Sequence, residues 1–256
     1  YGFVIDDQAY GVKRKTAVIT MGIHAGEDLG EVVGWEMIGY LLGNSASAIA
    51  LRQQTRILVY PLANPAGRFA GYWRRAPGSN TDTNREWNLT TPTHDCVTKL
   101  KAAILADVAS YANPVGWAFD VHASPGGDGK MQLGINAYRP ADLEFDALVR
   151  AKYPAGDWAD YSDRNVVPGD PATSVTITGF HRRDVAAKLV MLNETCDLFG
   201  PISPTIMQPY AVAQVDALAD MDAAGWFDEA PTSTLALGTP SVTSSSISLP
   251  WTYSAA

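Results

Sequence analysis

Lys15-Thr16-Ala17-Val18-Ile19-Thr20-Met21-Gly22 is a run of small and β-branched residues closed by glycine, as expected for a buried strand. His24 stands two positions beyond it. From Leu29 to Leu42, apolar residues at Leu29, Val32, Val33, Trp35, Met37, Ile38 and Leu41 form a helical stripe that stops at Gly43-Asn44. A buried strand feeding a helix is an α/β unit, and the pattern recurs. The spacing predicts a second helix over 46–54, a strand over 56–62 (RILVYPL), a helix from Cys96 to Tyr111, and a strand over Trp117–His122 that breaks at Ser124-Pro125-Gly126-Gly127. Met131 to Ile135 reads as a strand, Asp142 to Lys152 as a helix, Ala187 to Asn193 as a buried strand ending at Glu194, and Ser203 to Ala224 as a long helix. The opening YGFVI also has strand character. The expected fold class is therefore α/β, a mixed, mostly parallel central sheet with helices on both faces.

Ligands of such sheets bind beyond the C-terminal ends of the strands. His24, His122 and Glu194 all fall there. The 31 residues from Ala63 to Thr93 are rich in Asn, Pro, Gly, Arg and Thr without a sustained period, and a loop of that length points to a functional role.

Composition narrows the function. With 46% apolar residues in 256, the chain can bury one large core. A net charge of -8, from 19 basic against 27 acidic residues, argues against affinity gained by neutralising phosphates. No nucleic-acid partner is expected. No apolar run approaches the roughly 20 residues that span a bilayer, and no cleavable signal pattern opens the chain. Cys96 and Cys196 are compatible with one disulfide or with two buried thiols.

His24-Ala25-Gly26-Glu27 puts an imidazole and a carboxylate three positions apart across a strand-to-helix turn. Such a pair converges on one cation when a third donor arrives from another strand. His122 is the natural third donor, and catalytic zinc takes three protein ligands plus water. The HExxH helix motif is absent, which removes that zinc class. His94 and His181 stand outside this constellation and read as hydrogen-bonded structural histidines.

Five segments in order carry a family resemblance: MGIHAGEDLG, YPLANPAGR, TDTNREW, AFDVHASPGG and LVMLNET. They resemble the M14 zinc carboxypeptidases, in a divergent form, over about Tyr1 to Ile206. The resemblance implies one Zn²⁺ held by His24, Glu27 and His122, with Glu194 as general base and then general acid. Bound zinc lowers the pKa of its water from about 15.7 toward about 7, and a nearby carboxylate accepts the proton. By the same resemblance Arg74, rather than its neighbour Arg75, would stabilise the oxyanion. Asn84 and Arg85 would hold a substrate's terminal carboxylate, and Asp82 would orient the first histidine.

The implied substrate is a peptide with a free C-terminal carboxylate. The alternatives are a small acyl-amino acid, cleaved by a deacylase of the related branch, and a peptidoglycan stem peptide; a non-catalytic binding module ranks below these. The better-known digestive members of that family carry a mobile-loop tyrosine, and that position points here to Ala172. Phe180 or His181 is then the candidate to line the same pocket, and the position that would set side-chain preference falls near Gly179. Residues 1–229 read as the catalytic domain. Residues 230–256, rich in Ser and Thr, read as a linker and the start of a module resembling fibronectin type III, which suggests an extracellular or cell-surface setting.

Overall fold

The computed structural model describes residues 2–123, 130–134, 139–154, 174–196 and 204–228, with 234–237, 241–243, 246–248 and 251–254 of the tail. Six strands form one sheet: β1 (Phe3–Ile5), β2 (Lys15–Met21), β3 (Thr55–Tyr60), β4 (Val115–Ala123), β5 (Lys130–Gly134) and β6 (Leu189–Cys196), in the order β1-β3-β2-β4-β6-β5. The four central strands are parallel. The two edge strands run antiparallel to their neighbours. The described helices are α1 (Asp28–Leu42), α2 (Ala46–Gln54), α3 (Pro65–Phe69), α4 (Asp95–Tyr111), α5 (Pro140–Lys152), α6 (Ile177–Arg183) and α7 (Pro204–Ala223). None of them is long and apolar enough to cross a membrane.

Period-two alternation divides the central strands between two cores. Ala17, Ile19, Met21, Trp117, Phe119, Val121, Leu189 and Met191 pack with residues of α1, α5 and α7. Val18, Ala118 and Val190 face the other way, against Val97, Leu100 and Ile104 of α4 and Ile177 and Phe180 of α6. Both faces are thus covered, as the near-continuous apolar strands require. Each fully buried Trp117 or Phe119 side chain contributes about 1.5–3 kcal/mol by leaving water. Toward the C-terminal ends the second face turns polar: Thr20 follows Val18, Asp120 and His122 follow Ala118, and Glu194 follows Val190. The alternation that builds the core therefore also lines up the polar groups.

Two features depart from the expected elements. The loop over 63–93 contains α3 and a 3-10 turn over Thr83–Arg85. Asn64 Oδ1 accepts from the Gly67 N–H at 3.0 Å to start α3, and Pro65 stands in its first turn. Helix α6 has no apolar stripe to announce it. Its buried residues include His181 and Arg182, the latter paired with buried Asp142 at 2.6 Å. In the tail, β7 (Thr234–Leu237) pairs with β10 (Trp251–Ser254) and β8 (Ser241–Thr243) with β9 (Ser246–Ser248), both antiparallel and outside the main sheet. These two short ladders are the strand pairing among the described tail residues. Cys96 carries a free thiol.

Candidate metal centre

Beyond β2 the chain turns at Gly22, whose φ of 68° is the left-handed region that glycine adopts without strain. The turn is pinned from the 63–93 segment: Asn64 N–H donates to the Gly22 carbonyl at 3.0 Å, and the Thr83 hydroxyl donates to the Ile23 carbonyl at 2.7 Å. His24 emerges with Nδ1 2.8 Å from Glu27 Oε1 and Nε2 2.9 Å from Asp82 Oδ1. Glu27 immediately precedes α1, and its Oε2 accepts from the Ala123 N–H at 3.1 Å. From β4, His122 places Nδ1 2.9 Å from Glu27 Oε2 and 3.1 Å from His24 Nδ1.

The three side chains are buried, and their donor atoms lie within 4.8 Å of one another. Two imidazole nitrogens and a carboxylate are the donor chemistry of catalytic zinc. Both histidines turn Nδ1 inward, and both Nε2 atoms face carboxylates, Asp82 for His24 and Asp120, at 2.5 Å, for His122. A carboxylate on Nε2 keeps the proton there and leaves the Nδ1 lone pair for a cation. On donor type and convergence, the residues fit zinc.

Burial alone would raise the Glu27 carboxyl, but the adjacent His122 and His24 outweigh it and bring it down to about 2. Asp82 is likewise raised by burial, yet ends well below the usual carboxylate range. It is held there by hydrogen bonds from His24 and the Asn84 N–H and by the Arg74 charge. Burial lowers His122, but Asp120 and Glu27 prevail and raise it well above the usual histidine range. Glu194 goes upward because burial dominates, reinforced by Glu27 and opposed by His122, His24 and Arg74. It pairs in register with His122 on the neighbouring parallel strand, so the two side chains share one face of the sheet.

Arg74 is brought to this cluster. Its Nη1 donates to Glu27 Oε1 at 3.2 Å and its Nε to Asp82 Oδ2 at 3.0 Å. Arg75 instead donates to Asn80 Oδ1 at 3.0 Å on the exposed side. Asn84 is buried, and its Oδ1 accepts from the Ile177 N–H at 2.8 Å. Arg85 is 51% exposed, with Nη1 3.0 Å from the Asn84 carbonyl and 4.0 Å from Asp82 Oδ2. Arg74 and Arg85 therefore flank the same Asp82 oxygen.

The expected pocket roles of Phe180 and His181 are corrected. Phe180 packs on Trp87 with ring centroids 5.2 Å apart, inside the apolar core. His181 is fully buried, with Nε2 3.4 Å from Thr20 Oγ1. Thr176 caps α6, and the Ile177–Asn84 bond anchors its first turn, so these side chains face the sheet. Gly179 is also interior: a Cβ there would fall 2.3 Å from Ser174 Oγ. His94 is a structural histidine, its Nε2 2.9 Å from Thr81 Oγ1. Ala172 and the break at 124–127 lie outside the described residues. Asp120 is a site residue that the sequence reading does not single out, although alternation along WAFDVHA places it on the face of His122.

Residues 1–103 match the sequence profile described as zinc carboxypeptidase. No curated protein sequence matches the chain. A provisionally named carboxypeptidase A from Shewanella denitrificans OS-217 superposes with a TM-score of 0.67 at 19% identity, covering 87% of this chain and 61% of that one. The metallo-carboxypeptidase from Pseudomonas aeruginosa, solved with (2-guanidinoethylmercapto)succinic acid, gives 0.65 at 14% identity over 87% and 60%. That from Burkholderia cenocepacia gives 0.62 at 17% over 88% and 61%. The chain thus spans less than two thirds of the length of these structures. Residues 1–103 thus match the zinc carboxypeptidase (M14) model, and most of the chain's length has the fold of these metallo-carboxypeptidase structures.

Proposed function

We propose that the chain is a zinc-dependent metallocarboxypeptidase that hydrolyses the C-terminal peptide bond of a peptide. The observation carrying this reading is the convergence of His24, Glu27 and His122 donors within 4.8 Å, beside Glu194 in register with His122. His24, Glu27 and His122 would hold the ion. When bound, zinc polarises the scissile carbonyl and acidifies the attacking water.

Glu194 takes the proton from that water and delivers it to the leaving amine; a carboxyl raised by burial is suited to both halves of the transfer. Arg74 directs guanidinium N–H groups toward the charge that develops on the carbonyl oxygen. The partly exposed Arg85 presents a planar fork to the substrate carboxylate. Asn84 uses its carbonyl oxygen on α6, which leaves its NH₂ to donate beside Arg85. The succinic acid compound bound by the Pseudomonas relative is in keeping with carboxylate recognition.

The test is metal analysis together with release of C-terminal residues from a mixed peptide library, comparing the parent with Glu194→Gln. One zinc per chain, and release reduced by roughly 10²–10⁴-fold in the variant, is expected. Zinc without release from any peptide, but with cleavage of acyl-amino acids, would replace the peptidase reading with deacylation. Absence of zinc affinity would remove both.

A further inference from the structure

We propose that Asp120, Thr20 and His181 form a buried chain that positions His122 and thereby sets the protein's affinity for zinc. This rests on the metal reading above. It assigns a task to three residues that the hydrolytic scheme does not use.

The chain crosses three elements. His122 Nε2 lies 2.5 Å from Asp120 Oδ2 on β4. Asp120 Oδ1 lies 3.1 Å from Thr20 Oγ1 on β2, and that hydroxyl lies 3.4 Å from His181 Nε2 on α6. All four residues are buried, with Thr20, Asp120 and His181 at 0% exposure.

Donor and acceptor counting orients the chain. Asp120 as a carboxylate accepts only, so His122 donates from Nε2 and Thr20 donates from its hydroxyl. Thr20 shares that single hydrogen with the Phe119 carbonyl at 3.0 Å. The Thr20 oxygen is then free to accept from His181. Among the described residues His181 Nδ1 has no hydrogen-bond partner, whereas Nε2 faces an acceptor, so the ring carries its proton on Nε2. Burial holds this ring in the neutral form, its pKa lowered to about 4.

Packing alone does not explain His181. It sits on the helix face that buries Ile177 and Phe180, where an apolar side chain would leave no polar atom unsatisfied. A buried nitrogen without a partner costs about 1–3 kcal/mol. What the histidine supplies in return is a donor to Thr20, which fixes the hydroxyl that fixes Asp120. With Asp120 held from behind, the His122 ring keeps the angle that aims Nδ1 at Glu27 and His24. Release of the chain lets Asp120 rotate and the ring follow.

The test is the zinc dissociation constant, measured by competition with a chromogenic chelator. It is applied to the parent, Asp120→Asn, Thr20→Val, Thr20→Ser and His181→Leu, with the metal-free melting temperature of each measured alongside. Loss of outer partners of a metal ligand weakens binding by about 10–100-fold. Asp120→Asn is expected within that range, and Thr20→Val and His181→Leu near its lower end. Thr20→Ser, which restores the hydroxyl, should return to within about twofold of the parent. Because valine matches threonine in shape, the Val and Ser variants separate hydrogen bonding from folding. Parent-like affinity in Thr20→Val and His181→Leu would overturn the chain while leaving the metal site standing. A parent that binds no zinc would overturn both.

Discussion

A Cβ on Gly30 would fall 2.2 Å from the carbonyl oxygen of His122 and 2.9 Å from the Ala123 nitrogen. The first turn of α1 therefore lies against the very stretch of β4 that carries His122, and the contact is backbone, which cannot rotate away. Glu27, one residue before α1, uses the same proximity to accept from Ala123. Gly30→Ala is expected to destabilise the fold by about 1–3 kcal/mol and to weaken zinc binding together with it. Gly39, in the same helix, has nothing within 4 Å of its missing Cβ. Gly39→Ala should stabilise by about 0.5–1 kcal/mol with unchanged zinc affinity. Urea titration and metal titration of the two variants check the contrast; equal effects would show that α1 does not need to approach β4 so closely.

Arg74 touches Glu27 and Asp82, and its side chain remains 37% exposed. A group placed to meet charge that develops during reaction contributes to turnover more than to ground-state binding. Arg74→Ala is expected to lower kcat by about 10²–10³-fold with little change in KM. Steady-state kinetics on one peptide substrate decide this. A change confined to KM would move Arg74 to the binding machinery.

Arg85 should behave in the opposite sense. Its exposed guanidinium is assigned to the substrate's terminal carboxylate, and hydrogen bonds to charged groups are worth about 1.5–3 kcal/mol. Arg85→Ala is expected to raise KM by roughly 10–100-fold for a free peptide while leaving the slower cleavage of its C-terminal amide nearly unchanged. If both substrates lost equally, Arg85 would be acting on the loop rather than on the carboxylate.

Much of this molecule is legible in its sequence because one signal, a near-continuous apolar run with polar residues at or just beyond its C-terminal end, encodes both strand and site. KTAVITMG, WAFDVH and AKLVMLNE carry it, and the central parallel strands lie where those runs predict. The grouping of His24, Glu27 and His122 is legible too, the histidines as polar residues near strand ends and Glu27 by its spacing of three from His24. Helix α6 was not. Its sequence ITGFHRR buries a histidine and an arginine, so no apolar period marks it. It forms because Thr176 caps it and because Asn84, 93 positions earlier, accepts from Ile177. Phe180 and His181 point from this helix toward the sheet, so neither lines an open pocket. Asp120 was overlooked for a different reason: in WAFDVHA it reads as a polar interruption of a strand until its partner on the same face, His122, is recognised as a ligand.

The neutral burial of His181 has a measurable consequence in acid. An unfolded histidine takes up a proton below about 6.5, while the folded ring, lowered by burial to about 4, stays neutral through that interval. Between these values the unfolded chain binds more protons than the folded one, so stability rises with pH across the window and falls as pH drops. The contribution of this residue is complete above about 6.5 and is lost by about pH 4, amounting to at most about 3 kcal/mol. Glu31 acts in the contrary direction, since burial raises its carboxyl to about 7. Stability from that residue therefore increases as pH falls toward the ordinary carboxylate range. The difference between parent and His181→Gln isolates the histidine, because Glu31 is common to both. Urea unfolding of the two metal-free proteins at pH 7 and pH 4.5 is the measurement. The parent should lose more stability than the variant on acidification. Parallel losses would mean that His181 is already protonated in the folded state, and the Nε2–H donor to Thr20 would then belong to a charged ring.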